Sequence, residues 1–261
     1  MAEDARQEGP IRGPIAVVVS YYDARPAAPL QALVRGLLSG DAGAPFELRV
    51  VVNHDPALAT PVALDLPAGI TVAVRENVGF NIGAWEHGWR MDPPRDAYLF
   101  LQDECVVRAT PWLSPFVRAA EQPGVGLVGE RLSPPWNAPW DELARRFAGH
   151  SLPGHEIEGR AAERIACYLH YLRAHGIDPG AKGDHLQTLA LFARRSVLVA
   201  MGGFPVGRNY GEAIAAEIGT SKRVQTLGLG LREVGREPFT VFAHPQWLAR
   251  AEQHRRMGWR G

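Results

Sequence analysis

The chain lacks any excess of charge: its 261 residues carry 28 Lys and Arg against 28 Asp and Glu, a formal net charge of +0. Without a global basic field there is no electrostatic footprint for nucleic acid. Lysine is scarce, with only Lys182 and Lys222, so arginine supplies nearly all the basic groups. Together with the Ala, Gly and Pro content, that bias reads as a GC-rich bacterial gene. Cysteine is scarcer still: Cys105 and Cys167 offer no disulfide framework and suit a reducing cytoplasm. No apolar run approaches the ~20 residues needed to cross a bilayer, and the opening MAEDARQEGPIRGP lacks the apolar stretch of a signal peptide. Residues 1–13 read as a disordered lead-in. Also absent are a Walker P-loop, an H-E-x-x-H pair and a G-x-S-x-G elbow, which removes the usual signals for P-loop hydrolysis, zincin chemistry and α/β-hydrolase chemistry.

What is present is 46% hydrophobic residues in short, regularly spaced runs. Ile15–Val19 reads as a buried strand ending in Ser20, Tyr21, Tyr22 and Asp23. A helix with Leu30, Leu33, Val34 and Leu37 on one face follows, stopped by Gly40. Phe46–Val52 is a second strand, ending in Asn53, His54 and Asp55; Ile70–Val74 is a third, followed by Arg75, Glu76 and Asn77. Gly79–Gly83 opens a helix through Trp85 and Trp89 that Pro93-Pro94 stops. Tyr98–Leu101 is a continuous apolar run, as expected of a strand covered on both faces. A helix around Leu113 and Phe116 and a strand at Val125–Val128 complete this half. Strands alternating with helices at this spacing predict an α/β fold with a mostly parallel, mixed sheet flanked by helices.

From Ser133 the texture changes. SPPWNAPW is a Pro/Trp-rich loop, followed by helices at Asp141–Phe147 and around Ile165–Leu172. Residues 133–185 read as a helical insertion within one domain, 14–250, ahead of a polar tail, 251–261. Leu189–Phe192 returns to the core, Gly202–Pro205 turns sharply, Ala213–Leu227 is helical, and Phe239–Phe242 is a last strand ending at His244.

Three strand ends collect polar residues on one edge, where open α/β sheets bind ligands. The acid pair Asp103–Glu104 directly follows the Tyr98 strand. Adjacent carboxylates repel unless a cation or a proton intervenes, and Mg²⁺ or Mn²⁺ suits oxygen ligands; two solvated acids in an exposed turn are the plainer alternative. Gly124, Gly126 and Gly129 satisfy G-x-G-x-x-G, but they straddle a strand and run into Pro134-Pro135, so the dinucleotide context is missing. NVGFNIG, residues 77–83, places Asn-x-Gly twice, four residues apart, at the mouth of a helix, where amides and permissive backbone can approach a ligand.

The order SYYD, NHD, NVGFNIG, an acid cluster after YLFL, GGFP and a Glu-bearing helix resembles the GT-A fold of family-2-like glycosyltransferases, the nucleotide-diphospho-sugar transferase superfamily. The resemblance spans roughly residues 14 to 248. The segments HLQTLALFARRSVL, NYGEAIAAEIGTSKRV and HPQW are more loosely similar to bacterial rhamnan-synthesis-type transferases. The resemblance implies a hexosyltransferase-type enzyme that moves a sugar from a UDP- or dTDP-type donor to an acceptor hydroxyl on a carbohydrate or small molecule. The setting would be bacterial polysaccharide or secondary-metabolite glycosylation.

It also implies residue roles. Ser20, Tyr21 and Tyr22, with Asn53 and Asp55, would line the base and ribose. Asn77, Gly79, Asn81 and Gly83 would hold the nucleoside and the donor sugar. Asp103 and Glu104 would bridge Mn²⁺ or Mg²⁺ to the diphosphate, with His244 as a late metal ligand flanked by Trp247. Gln102 departs from the pattern, standing where the first acid of the family's trio belongs, and so allows a metal-poor or metal-independent enzyme. The catalytic base would be Glu217, which lacks the family's following Asp, or Glu212, which helix-dipole preference also explains. Asp184 or His185 would contact the acceptor. A non-catalytic nucleotide- or sugar-binding relative and a nucleotidyltransferase are the alternatives, and a homodimer stays open.

Overall fold

The computed structural model describes residues 9–149, 153–245 and 248. Residues 1–8, Trp247 and the polar tail lie outside that set. The first half of the chain runs β1 (Ile15–Tyr22), α1 (Ala28–Ser39), β2 (Phe46–His54), β3 (Thr71–Glu76), α2 (Phe80–Arg90), β4 (Ala97–Gln102), β5 (Val106–Val107), α3 (Ser114–Ala120) and β6 (Val125–Gly129). The second half runs α4 (Trp140–Arg146), β7 (Glu156–Ile157), β8 (Arg160–Ala161), α5 (Arg164–Ala174), β9 (Ala190–Arg194), α6 (Arg195–Ala200), α7 (Tyr210–Thr226), β10 (Gly230–Glu233) and β11 (Phe242–Ala243).

Seven strands form the main sheet in the order β10-β6-β9-β4-β1-β2-β3. β4, β1, β2 and β3 are mutually parallel, whereas β9 is antiparallel to both neighbours, β4 and β6. The mixed, largely parallel sheet is therefore as the sequence pattern predicts.

Side-chain parity explains why the central strands read as unbroken apolar runs. In β1, Ala16 and Val18 point into one core, while Ile15, Val17, Val19 and Tyr21 point into the other. β4 repeats the division, with Tyr98 and Phe100 on the first side and Leu99 and Leu101 on the second. Helices α2, α5 and α7 cover the first face, and α1 and α3 cover the second. With helices on both faces, alternation gives way to continuous hydrophobicity. Arg49, on the α2-facing side of β2, is fully buried. It donates to the carbonyls of Gly88 (3.1 Å), Met91 (2.8 Å) and Pro93 (2.5 Å), so a cation closes the C-terminal end of α2 where carbonyls are orphaned.

The segment between β6 and β9 holds the short helical turn Pro134–Trp136, α4, the β7–β8 hairpin and α5, which packs against α7. Trp136 stacks on Phe147 (5.3 Å) and leans on Tyr168 (5.7 Å), and the Arg164 guanidinium lies 5.0 Å from the Phe147 ring. Three details differ from the sequence pattern. β3 begins one residue later than expected and is an edge strand with Val72 and Val74 exposed. The last strand is only Phe242–Ala243, and it pairs with β5 outside the main sheet. β10, glycine-bounded and half exposed, carries too little apolar signal to be read in advance. Among the described residues, no helix is long and apolar enough to cross a membrane.

Candidate functional site

Parallel strands β1, β2, β3 and β4 deliver their carboxyl ends to one edge. Ser20 shares parity with Ala16 and Val18, so it faces α2, and its hydroxyl donates to Asn81 Oδ1 (2.9 Å). Asn53, at the end of β2, donates from Nδ2 to the Phe80 carbonyl (2.9 Å) and accepts from Arg75 Nη1 (2.6 Å). Arg75 Nη2 also holds the Val78 carbonyl (2.8 Å). The start of α2 is thus tied to the strand ends by side chains from two strands. Tyr22 donates to Asp55, which lowers the Asp55 pKa. Asp23, buried, accepts from the Asp55 backbone N–H (2.7 Å) and meets His54 Nδ1 at 2.7 Å. Tyr21, in contrast, points into the opposite core and donates to the Arg25 carbonyl (2.6 Å).

The NVGFNIG glycines have backbone reasons. Gly79 is left-handed (φ 78°), and a Cβ there would stand 2.3 Å from Val206 Cγ1. A Cβ on Gly83 would stand 1.9 Å from the Val78 carbonyl oxygen. Both positions therefore shape the helix mouth. Asn77 leaves its Oδ1 buried with no hydrogen-bond partner among the described residues.

At the end of β4, Gln102 Nε2 donates to the Thr188 carbonyl (2.8 Å). Asp103 is 5% exposed, and its pKa is raised to about 6 by burial and by the Glu104 charge, with Arg25 opposing. Glu104 accepts from Arg25 Nη1 (3.0 Å) and lies 3.0 Å from His244 Nε2. His244 is there because β11 pairs antiparallel with β5, Ala243 opposite Val106. Glu130 fixes that segment: its buried carboxyl accepts from the N–H groups of Thr240 (3.0 Å), Val241 (3.2 Å) and Phe242 (2.6 Å). Burial raises the Glu130 pKa to about 7 against those donors.

Of the three side chains expected around a metal, Glu104 and His244 meet, and Asp103 feels the Glu104 charge, but Glu104 is turned to Arg25 and His244. No group of three or more His, Cys, Asp or Glu side chains that could hold an ion occurs among the described residues. Carboxylate oxygens with one imidazole nitrogen still fit a hard divalent cation that takes its remaining ligands from phosphate and water.

Glu217, on α7, is linked to this edge through Thr188. Burial raises its pKa to about 7, and the Thr188 hydroxyl lowers it slightly without reaching hydrogen-bond geometry. Thr188 therefore touches both groups, its carbonyl held by Gln102 and its hydroxyl beside Glu217. Glu212 is occupied otherwise. Asn209 caps α7 by accepting from the Glu212 N–H (2.9 Å), and the Glu212 carboxylate accepts from the Arg208 N–H (2.6 Å), close to a capping box. Asp184 binds the buried Lys222 (2.7 Å) and Gln225 (2.9 Å); burial works against it, but those hydrogen bonds hold its pKa below the usual carboxylate range. His185 is buried against Trp136, close to Gly183 O (2.8 Å), and burial lowers its pKa to about 4. Neither Asp184 nor His185 stands free at the cleft.

Sequence reasoning did not single out Arg25, Thr188, Asp23 or Glu130 as site residues. Asp23 and Glu130 follow strands directly, so the strand-end rule applied throughout would have found them. Arg25 and Thr188 sit in loops with no local pattern. Cavities of about 340 Å³ beside Trp89 and Arg195, and of about 650 Å³ along α5, take no lining from the strand ends.

No family model matches the chain, and no curated protein matches it. Solved structures do. The mannosyltransferase PcManGT from Pyrobaculum calidifontis, determined with GDP-Man and Mn²⁺, aligns at TM-score 0.50 and 13% identity over 97% of this chain and 67% of that one. GalNAc-T7, determined with UDP, GalNAc and Mn²⁺, aligns at TM-score 0.50 and 11% identity, covering 87% of this chain and 43% of that one. The fold is that of GT-A nucleotide-sugar transferases.

Proposed function

We propose that the protein is a glycosyltransferase that moves a sugar from a UDP- or dTDP-type donor to an acceptor hydroxyl on a carbohydrate or small molecule. The observation that carries this is Thr188, which joins the buried acid end of β4, through Gln102, to the one strongly perturbed carboxyl on the facing helix, Glu217. On this reading, acid chemistry for a diphosphate and a base for a hydroxyl share one edge of the sheet. Ser20, Asn53, Asn81, Tyr22 and Asp55 receive the nucleoside side. Glu217 takes the acceptor hydroxyl proton as that oxygen bonds to the anomeric carbon, and the carbon–oxygen bond to the diphosphate breaks. A pKa near 7 keeps Glu217 basic enough to accept the proton and ionised enough to act. Mn²⁺ or Mg²⁺, when bound by Asp103 with Glu104 and His244, supplies countercharge for the leaving diphosphate. Two buried cysteines without a disulfide suit a reducing, cytoplasmic setting.

Calorimetry with UDP, dTDP and GDP, with and without Mn²⁺, tests the reading. Tight binding of one nucleotide, strengthened by Mn²⁺, is expected, with the strengthening lost in Asp103→Ala. Absence of binding by all three sinks the proposal.

A further inference from the structure

Two aromatic rings stand exposed where the start of α2 meets the start of α7, with no core to serve. Phe80 is 40% exposed and Tyr210 is 50% exposed, yet they meet edge-to-face at 6.5 Å although 130 positions separate them in sequence. Tyr210 is backed on its other side by His155, 6.2 Å away, and the Gly154 carbonyl accepts from the Gly211 N–H (3.0 Å), which pins the start of α7.

Phe80 is held out at a cost. Its φ is 53°, a left-handed conformation that bulky side chains avoid, and a strained residue persists only where its surroundings over-determine it. Here they do: the Phe80 carbonyl is held by Asn53, and Asn53 is held by Arg75. A stability-neutral sequence would place a small or polar residue at an exposed, left-handed position.

Tyr210 and Glu217 lie seven residues apart on α7. They therefore share one stripe of that helix, about 10 Å apart along its axis. An acceptor of two or more linked sugars with one ring resting at Tyr210 spans that distance toward Glu217. Glu212, the other acid at this end, is closed off in the helix cap.

We propose that Phe80 and Tyr210 form a stacking platform for a pyranose ring of an oligosaccharide acceptor, whose neighbouring ring carries the hydroxyl that Glu217 deprotonates. The inference rests on the glycosyl-transfer reading and specifies its acceptor class. The C–H face of a sugar ring carries slight positive charge and packs on the negative face of an aromatic ring, so an exposed aromatic pair selects sugar over ions or flexible chains.

The test uses the full chain and four named trisaccharides, maltotriose, cellotriose, chitotriose and mannotriose, observed by saturation-transfer NMR in the presence of the nucleotide that binds tightest. At least one should receive saturation at its ring C–H protons. The transfer should fall about five-fold in Phe80→Ala and in Tyr210→Ala, and stay in Tyr210→Phe, while nucleotide affinity holds. If none of the four is saturated by the wild type, or if the signal survives both alanine variants, the platform is not a sugar site. If the alanine variants instead weaken the nucleotide, the pair stacks on the base and the proposal is wrong. Failure of any nucleotide to bind the wild type is a separate outcome, and it overturns the glycosyl-transfer reading and this inference with it.

Discussion

The two sides of the cleft are built on opposite plans. On the strand-end side, formed by β1, β2 and α2, polar groups answer one another: Ser20 with Asn81, Asn53 with Arg75, Asp23 with His54. Only the Asn77 Oδ1 is left over there. On the α7 side Asp184 answers Lys222 and Asn209 caps the helix, but the groups around Glu217 are left over. Among the described residues, Glu217 has no ion-pair partner, and Thr188 Oγ1 and Gln187 Oε1 are buried with no hydrogen-bond partner. A side that is already satisfied is pre-organised to receive a ligand without rearranging, whereas a side left unsatisfied carries free energy that a ligand or a reaction can release. Stability should therefore reside on the first side and reactivity on the second.

The largest expected effect follows from removing the unsatisfied charge. Glu217→Gln should lower sugar transfer by about a thousand-fold, the usual weight of a general base. It should also make the protein more stable. A carboxyl raised from 4.5 to about 7 by burial binds its proton more tightly folded than unfolded. Native stability therefore falls as pH rises from about 4.5 to about 7, then levels off, and at pH 8 the full penalty applies. At about 1.4 kcal/mol per pKa unit, the glutamine variant should gain up to about 3 kcal/mol at pH 8 and almost nothing at pH 4. Urea titrations at the two pH values, with turnover measured alongside, check both halves. A variant that is inactive and less stable at pH 8 would erase the contrast between the two sides. In the wild type, transfer should rise with pH through about 7 as the base ionises.

A middle-sized effect is expected on the satisfied side. Asn53→Ala removes partners from Arg75, whose half-buried guanidinium already has its pKa lowered by burial, and from the Phe80 carbonyl. Leaving both without their partner should cost about 2 kcal/mol, read as a lower urea midpoint at unchanged slope. The same change should release Phe80 from its left-handed conformation. A loss well under 0.5 kcal/mol would mean that the strand-end network contributes no net stability.

How much of this was legible in the residues follows the same division. The sheet and its polar edge could be read because buried strands leave continuous apolar runs, and Tyr98–Leu101 or Ile15–Val19 need no partner to be recognised. NVGFNIG was legible as a pattern but not in its reasons: Gly79 must avoid Val206, which lies far along the chain, and no local rule states that. Arg25 and Thr188 were invisible for the same cause. Their contacts with Glu104 and Gln102 span 79 and 86 positions. By resemblance Glu217 is the better positional match and Glu212 is also explained by the helix dipole, but what holds Glu212 instead, the cap formed with Asn209 and Arg208, shows only in the structure.

The smallest effect tests the residue that best joins the two sides. By resemblance Gln102 stands where an acid belongs, so Gln102→Asp should restore a missing ligand and improve cation binding. The structure gives the opposite expectation. The Gln102 side-chain amide donates to the Thr188 carbonyl, and an aspartate has no proton to give there. A third negative charge would also crowd Asp103, whose pKa is already raised to about 6 by burial and Glu104. The variant should lose about 1 kcal/mol of stability, with no gain in Mn²⁺-supported nucleotide binding. It should also slow transfer through the freed Thr188, whose hydroxyl lies beside Glu217. Gln102→Glu, which keeps the length but not the donor, should behave alike, and Gln102→Asn, which keeps the amide but not the reach, should fall between. If Gln102→Asp tightens cation binding without loss of stability, the amide is only a vacated ligand position, and the link between the acid end of β4 and the base on α7 runs through some other group than Thr188.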